Sequence, residues 1–300
     1  MNTKKPVIGW VGTGVMGAPL CGHLLDAGYT LYICSRTAEK ASNLVAKGAR
    51  WCTTPAEVSA QAEILFTMVG MPDEVEQVYF GKSGLFSALQ KNAVLIDMGT
   101  TPPSLTQQIA ARAQQLGASA VDAPVSGGDV GARNATLSIM VGGDENVVEQ
   151  LRPLFGCMAK SVNYMGPAGN GQHTKMCNQL VVAGTMIGVC EALVYAARSG
   201  LDCERLVNAI RPGAAGCWTL ENLAPRINKN DFAPGFMVDH FVKDLGIALA
   251  EAENLGLTLP GLSLALALYK KVQQLGHGES GTQALVHALQ ADVAADYLSL

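Results

Sequence analysis

The chain has 300 residues, a formal net charge of −4 and 15% charged residues, whereas a soluble domain averages about 25%. This charge gives no basic surplus for holding nucleic acid or an anionic membrane surface, although a local pocket for a small anion is compatible with it. The length favours two domains. Because 49% of the residues are apolar and so few are charged, much surface must be buried, and we expect a homodimer or homotetramer.

The eight cysteines are scattered along the chain, without a C-x-x-C pair or another metal-ligand spacing. Residues 1–6 are too short and polar for a targeting segment, so the cysteines predict a reducing, cytoplasmic environment, and their spacing predicts no metal site. The longest apolar stretch, Leu180–Ala197, contains Glu191 and many small residues. We interpret it as a buried helix of a soluble protein, since a membrane span needs ~20 residues without charge.

Short apolar runs alternate with helical patterns through the first half of the chain. The predicted strands are Val7–Val11, Thr30–Cys34, Glu63–Val69, Ala93–Met98, Ala118–Val121 and Leu137–Val141. The predicted helices are Ala18–Ala27, Ala38–Lys47, Asp73–Tyr79 and Ser104–Leu116. Repeated strand–helix units predict an α/β fold, a doubly wound, mostly parallel sheet with helices on both faces.

The pattern changes after about residue 165. Gly171–Arg198 contains no proline and predicts one long helix, and the rest of the chain shows helical periodicity interrupted by prolines and glycines. We therefore predict an α/β domain over residues 1–165 and an all-helical C-terminal domain over residues 166–300. The connecting helix, at about residues 170–198, belongs to the second domain.

A glycine-rich loop follows the first strand and opens the first helix. It fits the pattern G-x-G-x-x-G and consists of Gly12, Thr13, Gly14, Val15, Met16 and Gly17. The first glycine permits a tight turn, the second lets the backbone approach a pyrophosphate, and the third lets the helix pack close to the strand. The helix N-terminus then offers N–H groups and a partial positive charge to the phosphates. The loop predicts a dinucleotide site in a Rossmann-like domain.

The end of the second strand predicts the choice between NAD and NADP. An NAD site usually places an acid about 20 residues beyond the glycines, where this chain has Ser35, followed by Arg36 and Thr37. A carboxylate would repel a 2′-phosphate, whereas Arg36 and Lys40 would attract it. We predict a preference for NADP. NAD is the alternative, since an Arg36 that only stacks on the adenine is compatible with either cofactor.

Three later segments carry candidate chemistry. Ser126 with Gly127 and Gly128 can form a nest of N–H groups for a carboxylate, or an ordinary turn. Lys175, Asn178 and Gln179 share one face of the long helix; a desolvated lysine there can act as a general acid, whereas most helix lysines are solvated. Near the start of a later helix, Lys243 and Asp244 read by default as a solvated pair.

Together these segments resemble the β-hydroxyacid dehydrogenases, the group of 3-hydroxyisobutyrate dehydrogenase and tartronate semialdehyde reductase. The resemblance covers essentially the whole chain and rests on four motifs in order. They are the loop Gly12–Gly17, the segment Asp122–Gly128, the helix start Gly169–Gln179 and the run Lys243–Leu245. It implies a Rossmann-like domain followed by an all-helical domain, usually in a dimer or tetramer.

The resemblance also implies roles for single residues. Ser126, Gly127 and Gly128 would bind the substrate, Lys175 would be the catalytic residue and Asn178 would place the substrate. Lys243 would reach the cofactor and active site. The nicotinamide ribose would be lined by Val69, Gly70, Met71 and Thr100, and Trp218 would shape the substrate pocket. Four positions depart from many members: leucine-proline is usual at Gly70-Met71, a second asparagine at Gln179, and serine at Gly99.

We therefore expect an oxidoreductase that transfers a hydride between NADP, or NAD, and a short 3-hydroxy acid or its semialdehyde, as 3-hydroxyisobutyrate dehydrogenase does. The partner would be a small carboxylate substrate. A tartronate or succinic semialdehyde reductase is one alternative. An imine reductase or a non-catalytic scaffold on the same fold is another, but such proteins typically lack the lysine found at Lys175.

Overall fold

The computed structural model describes residues 5–290 and divides the chain into two compact units, one ending at Lys175 and one beginning at Met176. The division falls inside the long helix, whereas the predicted domain boundary lies at residue 165. The first turn of that helix joins the first unit because it is hydrogen-bonded to Asp122, at the end of a strand. Each unit has its own apolar core.

The first unit alternates strands and helices. Its strands are β1 (Ile8–Val11), β2 (Leu31–Cys34), β3 (Arg50–Trp51), β4 (Ile64–Thr67), β5 (Val94–Asp97), β6 (Ser119–Asp122), β7 (Val125–Ser126), β8 (Leu137–Gly142) and β9 (Ala159–Gly166). Its helices are α1 (Gly17–Asp26), α2 (Ser42–Ala46), α3 (Pro55–Gln61), α4 (Pro72–Phe80), α5 (Pro103–Gln115), α6 (Gly128–Arg133) and α7 (Glu145–Phe155).

Within the described residues these strands form one sheet in the order β3-β2-β1-β4-β5-β6-β8-β7, with β9 also paired to β8. Strands β3 to β6 in this order run parallel, and β8 runs antiparallel to β6 and β7. Successive strand residues face opposite cores: Phe66 and Ile96 pack on one side of the sheet, and Leu65 and Leu95 on the other. The predicted doubly wound, mostly parallel sheet is confirmed.

The predicted strands and most predicted helices agree with the structure to within one or two residues at each end. The helix predicted over Ala38–Lys47 instead begins with a 3-10 turn, Ala38–Ala41, before α2. Several elements were not predicted, because β3 and β7 have two residues each and Pro153 interrupts the helical pattern of α7. Strand β9 alternates half-buried and exposed residues and so lacks a continuous apolar run.

The second unit is helical. It contains most of α8 (Asn170–Arg198), then α9 (Cys203–Ile210), α10 (Trp218–Asn222), α11 (Ala224–Ile227), α12 (Val238–Asn254), α13 (Pro260–Gln274) and α14 (Leu285–Gln290). Among the described residues, α8 is the one helix long and apolar enough to cross a membrane. Its Ala183, Met186, Cys190 and Leu193 lie in the core of the second unit.

Candidate active site

The three glycines of the loop after β1 meet three different constraints. Gly12 has a φ of +99°, and a Cβ on it would overlap the Met68 carbonyl at the end of β4. A Cβ on Gly17 would overlap the Gly12 carbonyl, which already accepts a hydrogen bond of 2.9 Å from Trp10 Nε1. A Cβ on Gly14 would meet no described atom within 4 Å. Gly12 and Gly17 thus fix the loop, and Gly14 leaves open space beside it.

The start of α1 fits the pyrophosphate of a dinucleotide. No acidic residue lies in its first turn, and Met16 caps the helix without a side-chain hydrogen bond, so the helix dipole faces no competing carboxylate there. Thr13 is 2% exposed, and its Oγ1 has no hydrogen-bond partner in the described structure. A buried hydroxyl without a partner is costly in a folded protein, and a phosphate oxygen would satisfy it.

Arg36, predicted to attract a 2′-phosphate, is ion-paired with Glu74 in the first turn of α4. The other oxygen of this carboxylate, Oε2, accepts hydrogen bonds of 3.2 Å from the N–H groups of both Gly70 and Met71. Glu74 therefore ties together the segments after β2 and β4 that were predicted to hold the cofactor. Those two N–H groups bond to Glu74, so we expect that any cofactor contact of Gly70 and Met71 uses other atoms.

Lys175 is 8% exposed, and its Nζ donates a 2.9 Å hydrogen bond to the Val125 carbonyl. Val125 and Ser126 form β7, and Gly127, with a φ of +130°, leads into α6 at Gly128. The first unit thus brings the candidate catalytic lysine to the candidate substrate segment. A buried amine beside a serine and two glycines can exchange a proton with a bound oxygen.

Asp122 holds the turn of α8 that precedes Lys175. Its Oδ1 accepts from Gly169 N and its Oδ2 from Gln172 N, each at 2.8 Å, so a residue at the end of β6 caps this helix. Burial raises the pKa of Asp122, and these backbone hydrogen bonds oppose the rise. The close approach needs Gly171, where a Cβ would lie 2.7 Å from Asp122 Oδ2.

Asp97 is the register neighbour of Asp122 at the end of β5. It accepts from Thr67 Oγ1 at 3.0 Å, Gly99 N at 3.1 Å and Thr101 Oγ1 at 2.5 Å. Burial raises the pKa of Asp97 to about 6, the hydrogen bonds from Thr101, Gly99 and Thr67 limit the rise, and the charge of Asp122 adds to it. Two buried carboxylates thus lie under the carboxyl ends of neighbouring parallel strands.

Gln172 connects this region to the loop that carries Thr100. Its Oε1 accepts from Thr101 N at 3.1 Å, and its Nε2 donates to the Gly99 carbonyl at 2.9 Å. The side chain is fully buried. One amide thus fixes the backbone on both sides of Thr100 and, through its own N–H on Asp122, the helix that carries Lys175.

The second unit holds a chain of side-chain contacts between α8 and α12. Asn178 Nδ2 donates to Gln179 Oε1 at 2.8 Å, and Gln179 Nε2 donates to Asp244 Oδ2 at 2.6 Å. Asp244 Oδ1 is ion-paired with Lys243 Nζ at 2.7 Å. Lys243 and Asp244 have side chains only 10% and 2% exposed, so the default prediction of a solvated pair was wrong.

Trp218 begins α10 and is 62% exposed. The next residue, Thr219, shares a 3.0 Å hydrogen bond with Thr185 of α8, which anchors α10 to the long helix.

Within residues 5–290, no three His, Cys, Asp or Glu side chains are grouped so that they could hold a metal ion.

Two family profiles together match nearly the whole chain. One, described as the NAD binding domain of 6-phosphogluconate dehydrogenase, matches residues 7–166, and the other, NAD-binding of NADP-dependent 3-hydroxyisobutyrate dehydrogenase, matches residues 169–289. The chain is 50% identical to the uncharacterized oxidoreductase YkwC of Bacillus subtilis, over 94% of its length and 98% of the relative. It is 49% identical to an Arabidopsis thaliana protein named probable 3-hydroxyisobutyrate dehydrogenase-like 1, mitochondrial, over 96% and 86%.

Among solved structures, a Mycobacterium tuberculosis 3-hydroxyisobutyrate dehydrogenase with L-serine is 32% identical, with a TM-score of 0.87 over 96% of this chain and all of that one. The chain belongs to the β-hydroxyacid dehydrogenase family. It is an NAD(P)-dependent hydroxyacid dehydrogenase, so the predicted family, enzyme class and nicotinamide cofactor are confirmed.

Sequence reasoning missed the residues that position the site of this dehydrogenase. Glu74 stands at the third position of a helix that begins with Pro72, a capping signal that was visible in the sequence. Asp97 and Asp122 each end a predicted parallel strand, so their proximity was inferable from the topology. Gln172 gave no such signal, and Gln179 was noted on the helix face of Lys175 without its partner, because the partners of both lie about 70 residues away along the chain.

Proposed function

We propose that this dehydrogenase prefers NADP and oxidises a short 3-hydroxy acid, or reduces the corresponding semialdehyde, as 3-hydroxyisobutyrate dehydrogenase does. The observation that carries the proposal is the buried Lys175 Nζ, 2.9 Å from the carbonyl next to Ser126. An amine in that position suits a substrate whose carboxylate binds the serine and glycines and whose hydroxyl meets the lysine.

Each candidate residue has one part in this proposal. Ser126, Gly127 and Gly128 bind the carboxylate through the hydroxyl and backbone N–H groups. Lys175 takes the proton of the substrate hydroxyl in oxidation and returns one to the carbonyl oxygen in reduction. The cofactor, when bound, accepts or supplies the hydride at C4 of its nicotinamide. Asn178 orients the reacting oxygen.

The proposed cofactor site uses the loop Gly12–Gly17 for the pyrophosphate, with Thr13 Oγ1 as one donor. Ser35, Arg36 and Thr37 meet the ribose end of the adenosine, and Arg36 with Lys40 supplies the positive charge that favours a 2′-phosphate. Val69, Thr100 and Lys243 complete the proposed set near the nicotinamide. The absence of an acid at Ser35 supports NADP, whereas the ion pair of Arg36 with Glu74 reduces the positive charge offered to it.

A substrate panel with both cofactors tests this function. The compounds are 3-hydroxyisobutyrate, L-serine, tartronate semialdehyde, succinic semialdehyde and a cyclic imine, each with NADPH and NADH or their oxidised forms. We expect the highest kcat/KM for a 3-hydroxy acid or its semialdehyde, and a larger kcat/KM with the phosphorylated cofactor. Turnover of the imine alone, or of none of these compounds, would overturn the substrate proposal. A tenfold preference for NADH would overturn the cofactor proposal.

A further inference from the structure

Gln179 lies between a side-chain amide and a carboxylate. On one side is Asn178, a proposed substrate residue, and on the other is the carboxylate of Asp244. Gln179 and Asp244 are each 2% exposed. Buried amides and carboxylates are held by hydrogen bonds whose donors and acceptors must match.

Matching donors to acceptors allows only one orientation of each amide. Asp244, ion-paired with Lys243, can only accept hydrogen bonds, so Gln179 must present Nε2 to it. The Oε1 of Gln179 then faces Asn178 and requires a donor, which is Asn178 Nδ2 at 2.8 Å. The Oδ1 of Asn178 is thereby placed on the other branch of its amide, away from Gln179.

We propose that Gln179 is a positioning residue, through which the Lys243–Asp244 pair fixes the orientation of the Asn178 amide. The fixed amide presents Oδ1 as an acceptor for an ammonium or hydroxyl group in the reaction. This inference rests on the proposed role of Asn178. It adds a residue that touches neither substrate nor cofactor and acts only by holding Asn178.

The length of Gln179 is part of the proposal. An asparagine at this position would be shorter by one methylene, about 1.5 Å of chain. Its amide could not keep both the 2.6 Å bond to Asp244 and the 2.8 Å bond to Asn178 within hydrogen-bonding range. Lengthening Asp244 to glutamate would restore the reach from the opposite side.

The experiment compares Gln179→Met, Gln179→Asn and the double variant Gln179→Asn/Asp244→Glu. We expect Gln179→Met and Gln179→Asn to lower kcat roughly tenfold to a hundredfold, because small displacements of a positioned group can cost about that much. The dissociation constant for NADPH, measured by fluorescence in the absence of substrate, should stay within about twofold. The double variant should recover at least about a third of the wild-type kcat, which a loss of packing alone would not allow.

A matched control lies in the same unit. Gln273 Nε2 donates to Asp239 Oδ1 at 2.6 Å, the same kind of bond at the same length, but on an exposed surface. Gln273→Met should leave kcat within about twofold of the wild type, since the bond orients no proposed site residue. A comparable loss of kcat in this control would mean that any Gln–Asp bond between α12 and its neighbours matters equally, and would overturn the proposal.

A second readout does not depend on turnover. Hydrogen exchange of the Asn178 side-chain amide, followed by ¹⁵N NMR in the cofactor-free protein, should accelerate at least about fivefold in Gln179→Met, because its Nδ2 loses a buried acceptor. Unchanged exchange overturns the inference, with or without a fall in kcat, and so does faster exchange with unchanged kcat. If the wild type turns over none of the panel, the proposed function fails instead, and the exchange data still test the contact.

Discussion

The buried polar residues of the candidate site make different kinds of contact in the two units. In the first unit, Asp97, Asp122 and Gln172 bond mainly to backbone groups or to hydroxyls at strand ends. In the second unit, Gln179 and Asp244 bond only to other side chains, Asn178 and Lys243, in the contacts described above. The first arrangement fixes the path of the chain, and the second fixes the direction in which side-chain atoms point.

This difference predicts different consequences of substitution. A backbone N–H that loses a buried acceptor cannot rotate to find another one. Removal of the acceptor therefore lowers the free energy of unfolding. A side-chain amide that loses its partner can rotate to another one. Removal of the partner therefore disturbs the orientation of side chains in the site more than it lowers the free energy of unfolding. Substitutions of Asp97, Asp122 and Gln172 should therefore separate from those of Gln179 and Asp244 on a plot of the free energy of unfolding against kcat.

The largest expected effect is on turnover, and it comes from Lys175, which is an exception to this rule. Lys175 bonds to a backbone carbonyl of the first unit, yet Lys175→Met should abolish turnover without a matching loss of stability. The methionine fills a similar volume but supplies no proton, and a positioned acid or base contributes about 10²–10⁴-fold. Steady-state kinetics and NADPH titration test this. Retention of more than about a tenth of kcat, or loss of NADPH binding, would contradict the proposed role.

The second expected effect is on stability. Asp122→Ala leaves the N–H groups of Gly169 and Gln172 without their buried acceptor, and at roughly 1–3 kcal/mol for each group the free energy of unfolding should fall by about 2–6 kcal/mol. We expect kcat to fall as well, because Lys175 lies on the next turn of the same helix and depends on its position. Urea denaturation and kinetics on the same preparations measure both.

The control for Asp122 is another capping aspartate of the first unit. Asp144 Oδ1 accepts from Asn146 N and Val147 N at the exposed start of α7. Asp144→Ala should cost only about 1 kcal/mol, the usual value of an exposed cap, and leave kcat unchanged. Equal losses in the two variants would show that burial at the strand ends adds nothing to the capping role of Asp122.

The parts of this protein that sequence analysis predicted are governed by short-range constraints. Gly12, Gly14 and Gly17 are read from a six-residue loop because turn geometry and helix start are local. The alternation of strands and helices is predicted for the same reason, whereas two-residue strands such as β3 carry too little pattern to detect.

The missed parts depend on which elements become neighbours. The sequence placed Arg36 beside a cofactor phosphate, but its ion pair with Glu74 depends on the adjacency of the segments after β2 and β4. In the same way, Lys243 and Asp244 read as a solvated pair until α12 is packed against α8 and Gln179. The sequence therefore predicted Arg36 and Lys243 as candidate site residues, but it did not predict the side chains that they or their neighbours contact.

The stability of the protein should also depend on pH through Asp97. Because burial raises the pKa of Asp97 to about 6, the folded protein binds a proton more tightly there than the unfolded chain, whose aspartates titrate near 3.9. The contribution of Asp97 to stability is thus greatest below about pH 4 and is lost as the pH rises to about 6 or 7. Between pH 4.5 and 7 the wild type should lose about 2 kcal/mol relative to Asp97→Asn, at 1.36 kcal/mol for each pKa unit. Parallel pH profiles of unfolding free energy for both proteins would contradict the assignment.

The smallest expected effect concerns the cofactor end of the first unit. Glu74→Gln removes the charge paired with Arg36, while its amide oxygen can still accept from the N–H groups of Gly70 and Met71. Arg36 would then meet a 2′-phosphate without a competing carboxylate, so the ratio of kcat/KM for NADPH to that for NADH should rise. Arg36 is 85% exposed, and exposed ion pairs contribute at most about 1 kcal/mol, so we expect a two- to fivefold rise.

Salt and a matched variant separate this effect from a general change of charge. The rise should shrink at about 0.5 M salt, because exposed charges are screened over a few ångströms there. Glu149→Gln removes the partner of Arg152 in another exposed ion pair of the same unit, and it should leave the cofactor ratio unchanged. If Glu74→Gln leaves the ratio unchanged or lowers it, Arg36 does not select the 2′-phosphate. The preference would then have to come from Ser35, Thr37 or Lys40, whose side chains carry the remaining polar groups proposed at this end of the site.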